Sequence, residues 1–184
     1  QEALDKARGG SLLFLLGAPG TGKSKVTREL VHELTKDQSV LLCCSTRAAL
    51  ENTSRELEQD CPALTLNTIS GLIRSRDQGT YDTVIVDEAG MVNLAQVLYL
   101  TTLTAQKMIF VGDPIQLPPI SATENPWNSQ NIFLHQAKSQ NLSELYVWQQ
   151  QNPKISVLLK EQFDIPERLF NVLNHFCYGG RLTN

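Results

Sequence analysis

Apolar runs of five or six residues alternate along this chain with longer segments whose apolar residues recur every three or four positions. Short continuous runs read as strands buried on both faces, and the longer spacing reads as helices with one packed face. The pattern predicts strand 11–16, helix 23–36, strand 39–44, helix 47–59, a strand near 63–67 and a short helix to about 74. Strand 83–87, a helix around 92–103 and strand 107–111 follow. Strictly alternating strands and helices imply an α/β fold, a mostly parallel central sheet covered by helices on both faces. The stretch 121–152 is rich in Gln, Asn and Ser, lacks strong periodicity and reads as surface helices and loop. Further on, Leu169, Phe170, Leu173 and Phe176 have the spacing of one packed helix over about 166–178.

The first strand runs directly into Gly17, Ala18, Pro19, Gly20, Thr21, Gly22, Lys23 and Ser24. Glycines at this spacing let successive backbone N–H groups turn inward around phosphate oxygens, and the helix that follows adds its positive end to the pocket. Lys23 is then a point charge for terminal phosphates, and Ser24 offers a hydroxyl to the accompanying Mg2+. These eight residues are the expected ATP-binding loop. The strand 83–87 ends in adjacent carboxylates, Asp87 and Glu88. Ligands bind at the carboxyl ends of parallel strands, so Asp87 is expected to meet Ser24 there as a ligand of Mg2+, with Glu88 accepting a proton from the attacking water. Acids at a strand end that opens a helix near Met91 are also what a solvated helix start requires. A third apolar strand, Met108–Val111, breaks into Gly112-Asp113-Pro114-Ile115-Gln116-Leu117-Pro118-Pro119, where the prolines stop regular helix.

In this order, Gly-Ala-Pro-Gly-Thr-Gly-Lys-Ser, Asp-Glu-Ala-Gly and Gly-Asp-Pro-Ile-Gln-Leu-Pro-Pro resemble the motifs of superfamily 1 helicases. Within that superfamily the chain looks closest to the 5′-to-3′ branch of RNA-decay and RecD-type helicases. The resemblance implies a RecA-like P-loop NTPase domain and an ATP-dependent helicase activity. It implies that Gln116 touches the γ-phosphate and links nucleotide state to the nucleic-acid track. By the same resemblance Gln1 stands where the family carries the glutamine that recognises adenine. Ser45, Thr46 and Arg47 match motif Ia and Thr68 and Ser70 match motif Ib, so single-stranded DNA or RNA is the implied partner. Ser70 replaces the histidine often found in RecD-type proteins. Thr46 equally suits a helix N-cap, because cap and phosphate site use the same groups.

Residues 158–167 fall where the family enters its second RecA-like lobe with a Gln-Tyr-Arg signature, and Phe176–Leu182 looks like the Phe-Tyr-x-Gly-x-Leu that follows. The expected division is therefore a first lobe over 1–155, then a linker and the opening of a second lobe over 156–184. Here the signature reads Gln162-Phe163-Asp164. An acid at 164 cannot stabilise charge on a transferring phosphoryl group, and loss of an arginine finger costs ~10³–10⁵ in rate. Two functional expectations follow: a helicase motor lobe that binds Mg-ATP, hydrolyses it weakly and does not unwind without its second lobe, or a nucleotide-switched binding module with little turnover. A small-molecule kinase gives the Gly112–Pro119 turn no role.

Composition narrows the picture modestly. With 184 residues, 41% hydrophobic, the chain can build one full core. A net charge of −3 argues against a broad basic face, although Arg47, Arg55, Arg74 and Arg76 lie near the candidate strand contacts. Trp127 and Trp148 are available to stack bases, but packing suits both better. Cys43, Cys44, Cys61 and Cys177 lack metal-ligand spacing with the histidines and read as buried thiols of a reducing compartment, the cytoplasm. No apolar run approaches a membrane span. The chain opens on Gln1 rather than Met and reads as a piece of a longer protein.

Overall fold

The computed structural model describes residues 1–57, 61–120, 125–138 and 142–184. Its centre is a six-stranded, all-parallel sheet of order β3-β2-β4-β5-β1-β6. In chain order the strands are β1 (Leu12–Gly17), β2 (Val40–Cys44), β3 (Leu64–Thr68), β4 (Tyr81–Asp87), β5 (Thr104–Gly112) and β6 (Ser156–Leu159). The larger helices are α1 (Glu2–Gly9), α2 (Lys23–Leu34), α3 (Arg47–Glu56), α4 (Ile69–Ser75) and α5 (Leu94–Thr102). Short α6 (Pro126–Ser129) and α7 (Ile132–Gln136) precede α8 (Leu142–Gln151) and α9 (Glu167–Tyr178). The strand and helix alternation read from the sequence is thus the observed architecture. Residues 58–59 of the expected helix 47–59, and 121–124 and 139–141 of the expected surface stretch, lie outside the described residues.

Successive side chains of a strand face opposite ways, and both faces of this sheet are buried. Phe14, Leu16, Leu41, Cys43, Val84, Val86 and Phe110 point to one side, where Ile69, Leu72, Leu100, Phe133 and Leu145 cover them. Leu13, Leu15, Leu42, Ile85, Ile109 and Val111 point to the other, beneath Ala3, Ala7, Leu30 and Val31 of α1 and α2. Phe14 is the aromatic hub of the first side: its ring stacks on Phe110 at 5.2 Å and meets Phe133 and Trp148 edge-on at 6.1 and 5.5 Å. Trp148 is therefore a packing residue, whereas Trp127 is exposed.

Several boundaries differ from those expected. The helix expected from 92 begins at Leu94, because Asn93 and Gln96 form a capping box; a 3-10 turn, Ala89–Met91, precedes it. α1 was not legible, since only Ala3 and Ala7 mark its packed face. Residues 156–159 are not linker. They form the edge strand β6 beside β1, with Phe14 opposite Ser156 and Gly17 opposite Leu159, and Lys6 Nζ donates to the Ser156 carbonyl at 3.0 Å. The sheet thus runs past the expected boundary at 155, because the strand's backbone groups pair with β1. Of the four cysteines, Cys43 and Cys44 are buried, but Cys61 is half-buried and Cys177 exposed; α9 turns Cys177 away from the sheet while its neighbour Tyr178 is buried.

Candidate active site

The parallel register gathers the motifs at one edge. Thr68, Cys44 and Asp87 are direct neighbours at the ends of β3, β2 and β4. Leu16 of β1 is level with Gly112 of β5. The carboxyl ends of five strands thus deliver motif Ib, motif Ia, the paired acids, the Gly112–Pro119 turn and the glycine loop in spatial succession.

The loop between β1 and α2 has the geometry its glycines allow. Gly20 and Gly22 have φ of 74° and 78°, the left-handed region that side chains resist. A Cβ on Gly17 would lie 2.5 Å from Thr21 Oγ1, and that hydroxyl donates to the Ala18 carbonyl at 2.7 Å. Lys23 Nζ donates to the carbonyls of Gly17 and Ala18 at 2.8 and 2.9 Å. Burial pulls its pKa below the ordinary lysine value, opposed by the charges of Asp113, Asp87 and Glu88. The negative charges of three carboxylates thus act on this ammonium. Pro19 and Ser24 are exposed, with Ser24 in the first turn of α2.

Asp87 is buried, with 8% exposure. Its Oδ2 accepts from Thr53 Oγ1 at 3.1 Å and its Oδ1 from the Glu88 amide at 2.9 Å. Burial raises its pKa against the pull of the Glu88 amide, Thr53 and Lys23. Glu88 is exposed and has φ of 52°, a left-handed conformation rare for a side chain and frequent at functional sites. Partial burial and the neighbouring Asp87 raise its pKa, with Lys23 opposing. Proton acceptance is what such a base offers. Asp87 and Ser24 are hard oxygen donors of the kind Mg2+ uses when phosphates and water complete its shell. These two side chains would hold such an ion, which would neutralise charge building on bound phosphates.

Gln116 is exposed beyond β5, and its amide donates to the Asp113 carbonyl at 3.3 Å. Gln1 lies with Gly20, Lys23 and Ser24 on a cleft of about 1180 Å³, which Phe163 and Asp164 also line. Asp164 stands against the loop: a Cβ on Gly20 would be 3.4 Å from the Asp164 Cβ, and the Phe163 amide donates to the Gly20 carbonyl at 2.9 Å. The acid thus lines the cleft beside the glycine loop.

The motif Ia and Ib residues lie on the β2–β3 side. Thr46 and Thr68 cap α3 and α4, accepting from the amides of Ala49 and Gly71 at 3.1 and 3.0 Å. Ser45 Oγ is shielded from solvent and has no hydrogen-bond partner among the described residues. Arg47 and Ser70 are exposed. The cap geometry accounts for Thr46 and Thr68 without a ligand, while their hydroxyl protons remain available to phosphate oxygens.

Three residues absent from the sequence-derived site belong to it: Asp113, Thr53 and Tyr178. Asp113 had a signal, being a carboxylate at a strand end like Asp87. Thr53 and Tyr178 had none, because each reaches the site across the fold.

A parallel sheet of this order, with a glycine loop after β1 and paired acids after β4, defines a P-loop NTPase domain of the RecA-like type. A family model described as an AAA domain matches residues 1–122. The chain belongs to this AAA domain family, and its RecA-like domain is the first of the superfamily 1 helicase type. The ATP-dependent RecD2 DNA helicase of Deinococcus radiodurans is 34% identical over 133 residues, which cover 65% of this chain and 18% of that protein. Two solved structures share the fold. Pif1 helicase from Bacteroides, in complex with ADP-AlF3 and ssDNA, has a TM-score of 0.56 and 16% identity over 90% of this chain and 42% of its own. Arterivirus nonstructural protein 10, a helicase in complex with DNA, has a TM-score of 0.59 and 15% identity over 100% of this chain and 44% of its own. The chain therefore spans about a fifth of the RecD2 protein and less than half of these structures. Among the described residues, no helix is long and apolar enough to cross a membrane.

Proposed function

We propose that this domain is the ATP-binding and hydrolysing motor lobe of a superfamily 1 DNA or RNA helicase, coupling Mg-ATP hydrolysis to movement on a single strand together with a second RecA-like lobe, in the cytoplasm. The observation that carries this reading is the convergence of Lys23, Asp87, Glu88 and Asp113 at one sheet edge, with the motif Ia and Ib helix starts beside it. In this scheme Gly17–Ser24 cradle the phosphates, Lys23 neutralises the terminal ones, and Ser24 and Asp87 hold Mg2+. Glu88 takes the proton of the attacking water. Gln116 contacts the γ-phosphate, and Gln1 binds the adenine at the far end of the shared cleft. Ser45, Thr46, Arg47, Thr68 and Ser70 grip strand phosphates. The RecD2 relative is an ATP-dependent DNA helicase and the two structural neighbours are helicases in complex with DNA, which supports the assignment.

A specific observation favours a second reading. Asp164 lies in the nucleotide cleft, at the signature position that resemblance gives to an arginine. A nucleotide-switched binding module with little turnover is compatible with an acid there. Mg-ATP turnover at low salt, with and without single-stranded DNA and RNA oligonucleotides, separates the two; low salt preserves weak phosphate contacts. The motor-lobe reading expects turnover that rises with one of the strands. ATP binding without strand-dependent turnover favours the switch.

A further inference from the structure

The segment after β6 returns to the nucleotide site and touches it twice. Its first contact is the Phe163 amide on the Gly20 carbonyl, at 2.9 Å. Gln162, buried beside it, locks the bend: its Nε2 donates to the Ile165 carbonyl at 2.9 Å, and its Oε1 accepts from the Ile165 amide at 2.7 Å. α9 then runs back over the loop, burying Phe170 and Tyr178 with Ala18 and Leu182. Its end is tied down, because Asn174 exchanges hydrogen bonds with both the carbonyl and the amide of Leu182, at 2.9 and 3.0 Å. The second contact is Tyr178, whose hydroxyl donates to Asp113 Oδ2 at 2.7 Å.

Tyr178 and Asp113 are 6% and 3% exposed, so water does not compete for this hydrogen bond. The other Asp113 oxygen, Oδ1, accepts from the Ile115 amide at 3.0 Å, and the Asp113 carbonyl accepts from Gln116. Both carboxylate oxygens are thereby engaged, one by α9 and one by the turn that presents Gln116. The backbone of Asp113 is closely packed as well: a Cβ on Gly90 would lie 2.8 Å from the Asp113 carbonyl oxygen. A carboxylate held at both oxygens has one rotation available.

We propose that Tyr178 is a positioning residue for nucleotide turnover: from α9 it fixes the rotation of Asp113, and through Asp113 the Gln116 turn and the counter-charge that faces Lys23. The proposal rests on the ATPase reading above and adds to it a mechanical link, by which displacement of α9 is felt at the phosphates. The outer face of α9, with Leu169, Val172 and Phe176, is exposed.

The test is Tyr178→Phe, which keeps the buried ring and removes only the donor, beside Asp113→Asn and the double variant in the full chain. Loss of a hydrogen bond to a charged group predicts a fall in kcat of about tenfold or more, with KM for ATP within about twofold of wild type. The double variant is expected to be no slower than Asp113→Asn, because the two residues act as one unit. In amide hydrogen exchange, Ile115 and Gln116 are expected to exchange about tenfold faster in Tyr178→Phe, while the amides of α9 are unchanged. Additive losses in the double variant, unchanged exchange at Ile115, or faster exchange throughout α9 overturn the proposal. If the wild-type chain shows no turnover dependent on Lys23, the ATPase reading fails, and exchange at Ile115 and Gln116 alone decides the tether.

Discussion

Glu88→Gln is expected to bind Mg-ATP as wild type does and to turn it over ~10²–10⁴-fold more slowly, the range associated with loss of a positioned general base. The substitution keeps length and shape and removes only the proton acceptor. It also leaves the left-handed backbone at 88 as it is, so the strain stored there does not change with it. The pH profile carries a second signature. Burial and the adjacent Asp87 raise the Glu88 pKa, so the base is protonated over a wider range than an ordinary glutamate. Turnover is active with Glu88 ionised and falls as pH drops through the raised pKa. The acid limb of kcat/KM is therefore expected above the usual glutamate range, and any residual rate of Glu88→Gln should lack it. Steady-state rates across pH, with fluorescent-nucleotide binding on both proteins, provide the check.

Phe14→Ala is expected to cost about 3–5 kcal/mol of stability, the usual penalty for emptying a buried aromatic site. Phe14 is 1% exposed and lies between Phe110, Phe133 and Trp148, residues of three separate elements. None of them can fill the space without leaving its own contacts. For a domain of this size the loss corresponds to a melting point lower by about 6–20 °C. Phe14 is only three residues from Gly17, so the strand that holds the phosphate loop is loosened with the core. Thermal denaturation monitored by circular dichroism measures the effect, and Phe14→Leu, which refills most of the volume, should recover part of it.

The sequence disclosed the central strands because each is buried on both faces and must be apolar throughout. It disclosed the ends of those strands because glycine, proline and paired acids at a strand end have few other uses. Lys23, Asp87 and Glu88 could thus be located at one sheet edge, and the parallel register of β1 with β5 and of β5 with β4 shows why they meet. What stayed hidden depends on contacts between distant parts of the chain. Thr53 and Asp87 are 34 residues apart, and Tyr178 and Asp113 are 65 apart; no local pattern announces either hydrogen bond. β6 is four residues long, and its place beside β1 is set by backbone pairing that side-chain type does not encode. α1 is similarly silent, because alanines at 3 and 7 give too small an apolar stripe to distinguish it from a polar end.

Placement of the C-terminal segment changes how the site is understood. By resemblance, residues 156–184 open a second lobe. In the structure β6 completes the sheet, Phe163 and Asp164 line the cleft, and Tyr178 holds Asp113. This segment therefore makes direct contact with the glycine loop and with the turn bearing Gln116. Any element attached beyond α9 has a short path to the nucleotide.

The measurement that tests the account most directly is a calorimetric titration of Mg-ATP into the wild-type chain and into Lys23→Ala. The account predicts saturable one-site binding by wild type and an affinity weaker by about tenfold or more in the variant, as expected for losing a charge-assisted contact to phosphate. Equal affinities in the two proteins, or no binding by wild type, would contradict the assignment of Gly17–Ser24 as the ATP site.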